Sequence, residues 1–184
     1  MDLLKAIKER RSVRKYKTTP VTEEQLNTVL EAARWAPSWA NTQCRQFVVV
    51  RDKETKERLA DTLRPGNPAI PAIKDAPILI VACAELGKSG WYKGALATDK
   101  GDWFMLDVGL AMQNLTLAAH GLGLGTVHVG LFDAPKAAQI LEVPNGIALV
   151  EMTPLGYPEG QSITPPRKEL SEFVFSEKYG QVKP

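Results

Sequence analysis

Apolar residues recur at helical spacing in some stretches of this chain and run unbroken in others. Leu3, Leu4 and Ile7 share one face of a short helix over residues 2–9. Thr22-Glu23-Glu24-Gln25 has the form of a capping box, a hydroxyl at the start and an amide three residues on. It opens a helix with Leu26, Val29, Leu30 and Ala33 on one side, which Pro37 stops. Phe47 to Arg51 reads as a strand, followed by a charged helix from about Lys53 to Leu63. Arg64 to Pro71 holds three prolines and a glycine and reads as a loop. Ile78 to Ala84 is apolar on both faces, as in a central strand between two layers. The polar stretch from Glu85 to Gly101, with Trp91 and Tyr92 inside it, is the expected mobile segment.

A long helix follows over about 104–120, with Val108, Ala111, Leu115 and Ala118 on one side. Its small residues Gly109 and Ala111 predict close packing against another helix, and Gly121 is the expected C-cap. Thr126–Val129 reads as a strand, and Asp133 caps a short helix with Pro135 in its first turn. Gly146–Met152 reads as another strand, and Glu172–Phe175 as a β-like segment. With no internal repeat or low-complexity linker, residues 1–184 read as one α+β domain.

Composition narrows the function classes. A hydrophobic content of 44% and a charged content of 24% are those of an ordinary globular protein. A net charge of +2, with basic residues beyond the N-terminus mixed among acids, predicts no nucleic-acid partner. No opening stretch resembles a signal peptide, and no apolar run reaches the about 20 residues a membrane span needs, so a cytoplasmic protein is expected. Cys44 and Cys83 sit in or beside apolar runs and read as buried free thiols. With only His120 and His128 as imidazoles and no CxxC, no metal site is expected.

The charge is not evenly spread. Lys5, Lys8, Arg10, Arg11, Arg14, Lys15 and Lys17 are offset only by Asp2 and Glu9. Within this run Arg10-x-Ser12-x-Arg14 combines guanidinium forks with a hydroxyl, the donor set that a phosphate ester needs. Cations closing a helix also favour its negative end, which would account for Lys8, Arg10 or Arg11 without any ligand. From Ser12 to Tyr16 an extended segment is expected, which turns Ser12 and Arg14 the same way. The residues alone leave both readings open.

Familiar catalytic patterns are missing. Gly121, Gly123 and Gly125 close a helix and lead into a strand, the reverse of a dinucleotide fingerprint. There is no P-loop and no G-x-S-x-G elbow. Asp99 and Asp102 read as solvated, and His128 as a satisfied strand histidine. A phosphate site without reactive side chains points to a phosphate-bearing organic cofactor.

One ordered set of segments carries a resemblance. Arg10-Arg11-Ser12-Val13-Arg14, Ala36-Pro37-Ser38-Trp39-Ala40-Asn41, Gln46-Phe47, the helix Asp107–Ala118 running into Gly121-Leu122-Gly123, Leu155-Gly156-Tyr157-Pro158 and Pro165-Pro166-Arg167 resemble the FMN-dependent nitroreductase family over nearly the whole chain. The resemblance implies a mostly antiparallel central sheet flanked by helices, in an intertwined homodimer with FMN between subunits. It implies that Arg10 and Ser12 bind phosphate or ribityl oxygens, that Arg11 adds a contact, and that Arg14 lies near the pyrimidine end of the flavin. Arg167 would return to the phosphate. Pro37, Ser38, Trp39 and Asn41 would be donated across the dimer interface, and the backbone of Val129 and Gly130 would face the isoalloxazine. The segment from about 165 to 184 would reach the partner, with Phe173–Phe175 pairing with its sheet.

The chain departs from the family at His128, where tryptophan or proline is frequent, and at Trp39, which is bulky where small residues are frequent. The implied reaction passes a hydride from NADH or NADPH through FMN to a nitroaromatic, quinone or related small acceptor, in ping-pong order and with no catalytic acid or base of the chain's own. Trp91 and Tyr92 either line the substrate gap or anchor their loop. Alternatives on the same fold are azoline oxidation or reductive dehalogenation, for which Glu85–Gly101 supplies no evident lid, and a non-catalytic FMN-binding module.

Overall fold

The strand expected at the centre of the sheet is buried along its length. A computed structural model describes residues 2–160 and 162–181 of the chain. Strand β2 (Ile78–Glu85) lies between β1 (Arg45–Val50) and β6 (Ile147–Gly156), and β5 (Gly125–Thr126) pairs with the far edge of β6. All three pairings are antiparallel.

The alternation of β2 divides the core in two. Ile78, Ile80, Ala82 and Ala84 face helices α2 (Glu23–Arg34) and α5 (Phe104–Gly121). Leu79, Val81 and Cys83 face the opposite layer, built from α3 (Lys53–Ala60), α4 (Ile70–Asp75) and α6 (Ala134–Ile140). An apolar strand without polar alternation is stable only where both faces are covered, and here both are.

The helix starts follow their capping chemistry. Thr22 and Gln25 cap α2 reciprocally, and Asp52 and Asp133 accept from the Thr55 and Lys136 backbone N–H groups. Asp2 caps the first helix, α1 (Leu3–Glu9), by accepting from Lys5 N.

Four expectations need correction. Pro71 belongs to the first turn of α4 rather than to a loop, a position where its missing N–H costs nothing. The 85–101 stretch contains a small hairpin, β3 (Trp91–Tyr92) with β4 (Ala95–Leu96). The backbone that turns left-handed after α5 is Gly123, φ +76°, not Gly121, which is the last helical residue. Glu172 ends a 3₁₀ turn over Leu170–Glu172 that Glu169 and Glu172 cap reciprocally, so 173–175 is not in a strand. The expected partner-reaching segment ends at 182–184, outside the described residues.

Candidate functional site

The basic N-terminal segment is held in the sheet's margin from both sides. Val13 N donates to Thr126 O (2.9 Å), making a parallel bridge beside β5. Farther on, Lys17 N donates to Tyr157 O and Glu159 N to Lys15 O, both at 2.9 Å. Buried Tyr16 pins the bend by donating its hydroxyl proton to Val13 O at 2.7 Å. The segment is therefore extended, as expected, and Val13 turns into the protein while Arg14 stays exposed.

Gly125 permits this close approach. A β-carbon at that position would lie 2.6 Å from Val13 Cγ2 and 2.7 Å from Val13 Cβ. The residue is fixed by lack of space, since its φ is not left-handed.

From the other end of the chain, residues 162–167 cross this segment. Arg11 Nε donates to Thr164 Oγ1 at 3.0 Å, and Ser162 Oγ donates to Ser12 O at 3.4 Å. The result is a cleft of about 430 Å³ lined by Arg10, Ser12, Arg14 and Arg167, with Arg11 and Lys15 also on its wall. A second hollow of about 490 Å³ adjoins it, sharing Arg10, Arg11, Val13 and Ser162.

The cleft is predominantly basic, with Glu159 as the acid on its wall among the described residues. Among the described residues, no carboxylate pairs with Arg10, Arg11, Arg14 or Arg167 within 4.0 Å. Burial first, then the charges of Arg11 and Arg167, lower the Arg10 guanidinium pKa from its ordinary value. Like charges assembled without a counter-charge are costly unless an anion completes them. A phosphate monoester supplies that charge and acceptors for the forks. His120, unremarked in the sequence except as a lone imidazole, faces the adjoining hollow with Nε2 buried and unpartnered among the described residues. Burial lowers its pKa, with Arg10 and Arg11 acting in the same direction and Glu9 against them.

The arginines differ in their engagement. Arg11 donates through Nη1 to Lys8 O (2.6 Å) and Arg10 O (2.8 Å), closing the last carbonyls of α1. The helix-capping alternative therefore describes Arg11. Among the described residues Arg167 makes only long contacts, to Pro165 O and Pro166 O of its own turn, at 3.4 and 3.3 Å.

Pro37, Ser38, Trp39 and Asn41 do not line this cleft. They form a separate loop whose residues Ala40, Asn41 and Gln43 all have left-handed backbones, at φ 45°, 57° and 51°. For residues other than glycine each such geometry costs about 1–2 kcal/mol, less for asparagine. Asp107, wholly buried in the first turn of α5, accepts from Trp39 N (2.8 Å), Thr42 Oγ1 (3.3 Å) and Cys44 Sγ (3.4 Å). The sequence quoted Asp107 only as the start of a motif. An acid preceding an apolar helical run was the available signal.

Val129 and Gly130 separate as well. Val129 spends both backbone groups on Met152, N–H and C=O each at 3.0 Å, whereas the Gly130 N–H has no partner among the described residues. A backbone donor toward a ligand can therefore come from Gly130 and not from Val129. His128 Nδ1 lies 2.9 Å from Glu151 Oε1, which satisfies the histidine as expected.

Asp102 is more than solvated: its carboxylate accepts from Gly87 N (2.7 Å), Trp91 Nε1 (3.3 Å) and Phe104 N (3.1 Å). Trp91 thus anchors the hairpin, while Tyr92 is exposed.

A four-stranded antiparallel sheet between helical layers, with an arginine-lined cleft at its margin, makes this an α+β protein. Residues 7–157 match the pattern of the nitroreductase family, and the chain belongs to that family. It is 32% identical over 193 residues to an FMN reductase [NAD(P)H] of Bacillus subtilis, covering 97% of this chain and 74% of that one. It is 27% identical to a NADPH-flavin oxidoreductase of Vibrio harveyi, covering 97% and 75%. Among solved structures it is similar to an FMN-dependent nitroreductase of Clostridium difficile, with a TM-score of 0.80 and 26% identity over 96% of this chain and 99% of that one.

Proposed function

We propose that this chain is an NAD(P)H-dependent FMN oxidoreductase acting on a nitroaromatic, quinone or related small acceptor. The observation that carries the reading is the meeting of Arg10, Ser12, Arg14 and Arg167, from both ends of the chain, around one cleft where basic residues outnumber the acid Glu159 and none of these arginines is ion-paired among the described residues. The relatives' activities support the choice of ligand.

The donor set fits FMN. Arg10 and Arg167 hold the phosphate, and Ser12 takes a phosphate or ribityl oxygen. Arg14 lies toward the pyrimidine end, where a fixed cation favours developing negative charge. Gly130, which lines neither hollow, would offer its N–H, unpaired among the described residues, toward the ring system. Bound FMN supplies hydride transfer, and the chain contributes orientation, charge and an open face that serves reductant and acceptor in turn. No side chain is assigned as a catalytic acid or base, and no metal is required.

We read residues 1–184 as a single domain that works as a homodimer with FMN at the subunit interface. Two features support this. Leu3, Leu4, Ile7, Trp35, Met105 and Leu106, on α1, just after α2 and on α5, are large apolar side chains left exposed, the kind a dimer interface covers. The loop bearing Pro37, Ser38, Trp39 and Asn41 is presented away from this chain's own cleft, where it can complete the partner's. The segment from about 165 onward extends to the partner in the same reading. No helix of the described residues is long and apolar enough to cross a membrane, which accords with a cytoplasmic enzyme.

The test is the visible spectrum of the purified protein. Flavin bands that bleach with NADH or NADPH and return with a nitroaromatic or quinone are expected. A colourless protein that FMN neither stabilises nor colours sinks the reading. Bleaching without turnover of any acceptor would favour a binding module.

A further inference from the structure

We infer that Asp107 is a positioning residue, whose buried carboxylate holds the 38–44 loop in the backbone shape that presents Asn41 to the flavin site of a second copy of the chain. This rests on the FMN reading above.

Glu85 N donates to Cys44 O at 2.8 Å where the loop enters β1, and the residues before Cys44 have few outside attachments among the described residues. Within the loop, Asn41 N donates to Ser38 O, Thr42 N to Trp39 O and Gln43 N to Ser38 Oγ, each at 3.0 Å. These bonds shape a turn but do not attach it. Among the described residues, the hydrogen bonds leaving 38–43 for the rest of the fold all end on Asp107, from Trp39 N and Thr42 Oγ1. Cys44 Sγ, the next residue, donates to the same carboxylate. Left-handed Ala40, Asn41 and Gln43 would relax toward ordinary backbone if the turn were released. The dependence is mutual. Among the described residues Asp107 has no cation partner, and a buried carboxylate persists only when donors converge on it. All three of its donors come from this loop.

Asn41 itself is exposed, and its side chain makes no hydrogen bond among the described residues. An amide held on a strained crest with nothing to bind inside its own chain is placed for a ligand outside it.

The discriminating substitution is Asp107→Asn, which keeps the shape but turns one acceptor into a donor facing donors. Three quantities are read on the full chain: the FMN Kd by quenching of flavin fluorescence, amide hydrogen exchange of 39–44, and the assembly state by sedimentation. The Kd is expected to rise about 10- to 100-fold, from loss of bonds to a charged group. Exchange in 39–44 should quicken while the assembly is unchanged. Adding Ala40→Gly to that variant should recover part of the affinity, since glycine takes the left-handed backbone without penalty. Arg10→Ala should weaken FMN without quickening exchange in 39–44.

Wild-type affinity in the Asp107→Asn variant overturns the inference, as does weakened affinity with unchanged loop exchange. Should that variant not fold, Thr42→Val removes one donor at constant shape. A rise in Kd of about 3- to 10-fold is then expected, and an unchanged Kd overturns the proposal. Wild-type protein that does not hold FMN ends both readings, and that control precedes any variant.

Discussion

Arg10 and Arg167, from opposite ends of the chain, face one cleft, and among the described residues no carboxylate pairs with either. Their mutual repulsion is a cost the fold carries, since burial and the charges of Arg11 and then Arg167 all act to lower the Arg10 pKa. A site arranged in this way gains more from an anion than an isolated surface arginine does. Its ligand should therefore stabilise the protein measurably by mass action.

Arg10→Ala and Arg167→Ala are each expected to weaken FMN binding by about 1.5–3 kcal/mol, the range for a charge-assisted bond. The melting temperature of the flavin-free protein should not fall in step, because each substitution also relieves repulsion. Fluorescence titration and calorimetry of both forms check this. Unchanged flavin retention in both variants would remove the assignment.

Gly125→Ala tests the packing that shapes the cleft. The new methyl meets Val13 at 2.6 Å, so the Arg10–Arg14 segment must shift outward. Overpacking of this kind costs about 1–3 kcal/mol, or about 2–12 °C in melting temperature for a chain this size. FMN affinity should fall with it. Gly121→Ala, which meets nothing within 4 Å, is the control and should leave stability unchanged or slightly higher.

Leu106→Glu places a charge on the exposed apolar surface of α5. In a dimer that buries this surface the substitution should give monomers by sedimentation, and FMN retention should drop with assembly because the partner's Asn41 is withdrawn. A variant that remains dimeric and yellow would move the interface elsewhere.

The two thiols predict a pH response. Burial pushes Cys83 up to about 11, and burial followed by the Asp107 hydrogen bond and charge pushes Cys44 up to about 11. A raised pKa means the native state holds its proton more tightly than the unfolded chain. This contribution is complete below the ordinary thiol value of about 8.5 and is lost as the pH climbs toward 11. The melting temperature should decline over that window, less steeply in Cys83→Ala. Both thiols should resist alkylation at pH 8 until the protein unfolds.

Much of this architecture was legible before any coordinates. The capping box at Thr22, the Asp133 cap and the unbroken apolar run at Ile78 depend on neighbours within one helical turn or one strand, and all three stand. The extended form of Ser12–Tyr16 was legible for the same reason. Errors arose where a local signal had two meanings. Prolines at 65, 68 and 71 suggested a loop, but Pro71 opens α4, and Gly121 was read as the C-cap of α5 where Gly123 makes the left-handed turn.

Pairings between distant residues could not be read this way. That Asp107 satisfies Trp39, Thr42 and Cys44 depends on α5 lying beside the start of β1, which no periodicity encodes. The unequal fates of Val129 and Gly130 depend on which N–H meets Met152 across the gap to β6. The division of labour between Arg11, which closes α1, and Arg10 with Arg167, which remain available to a ligand, depends on side-chain direction. Residue types and their local spacing fix which groups a segment can offer. Which of them stay unspent is settled by long-range packing, because a donor's partner is whatever the folded chain brings within about 3 Å.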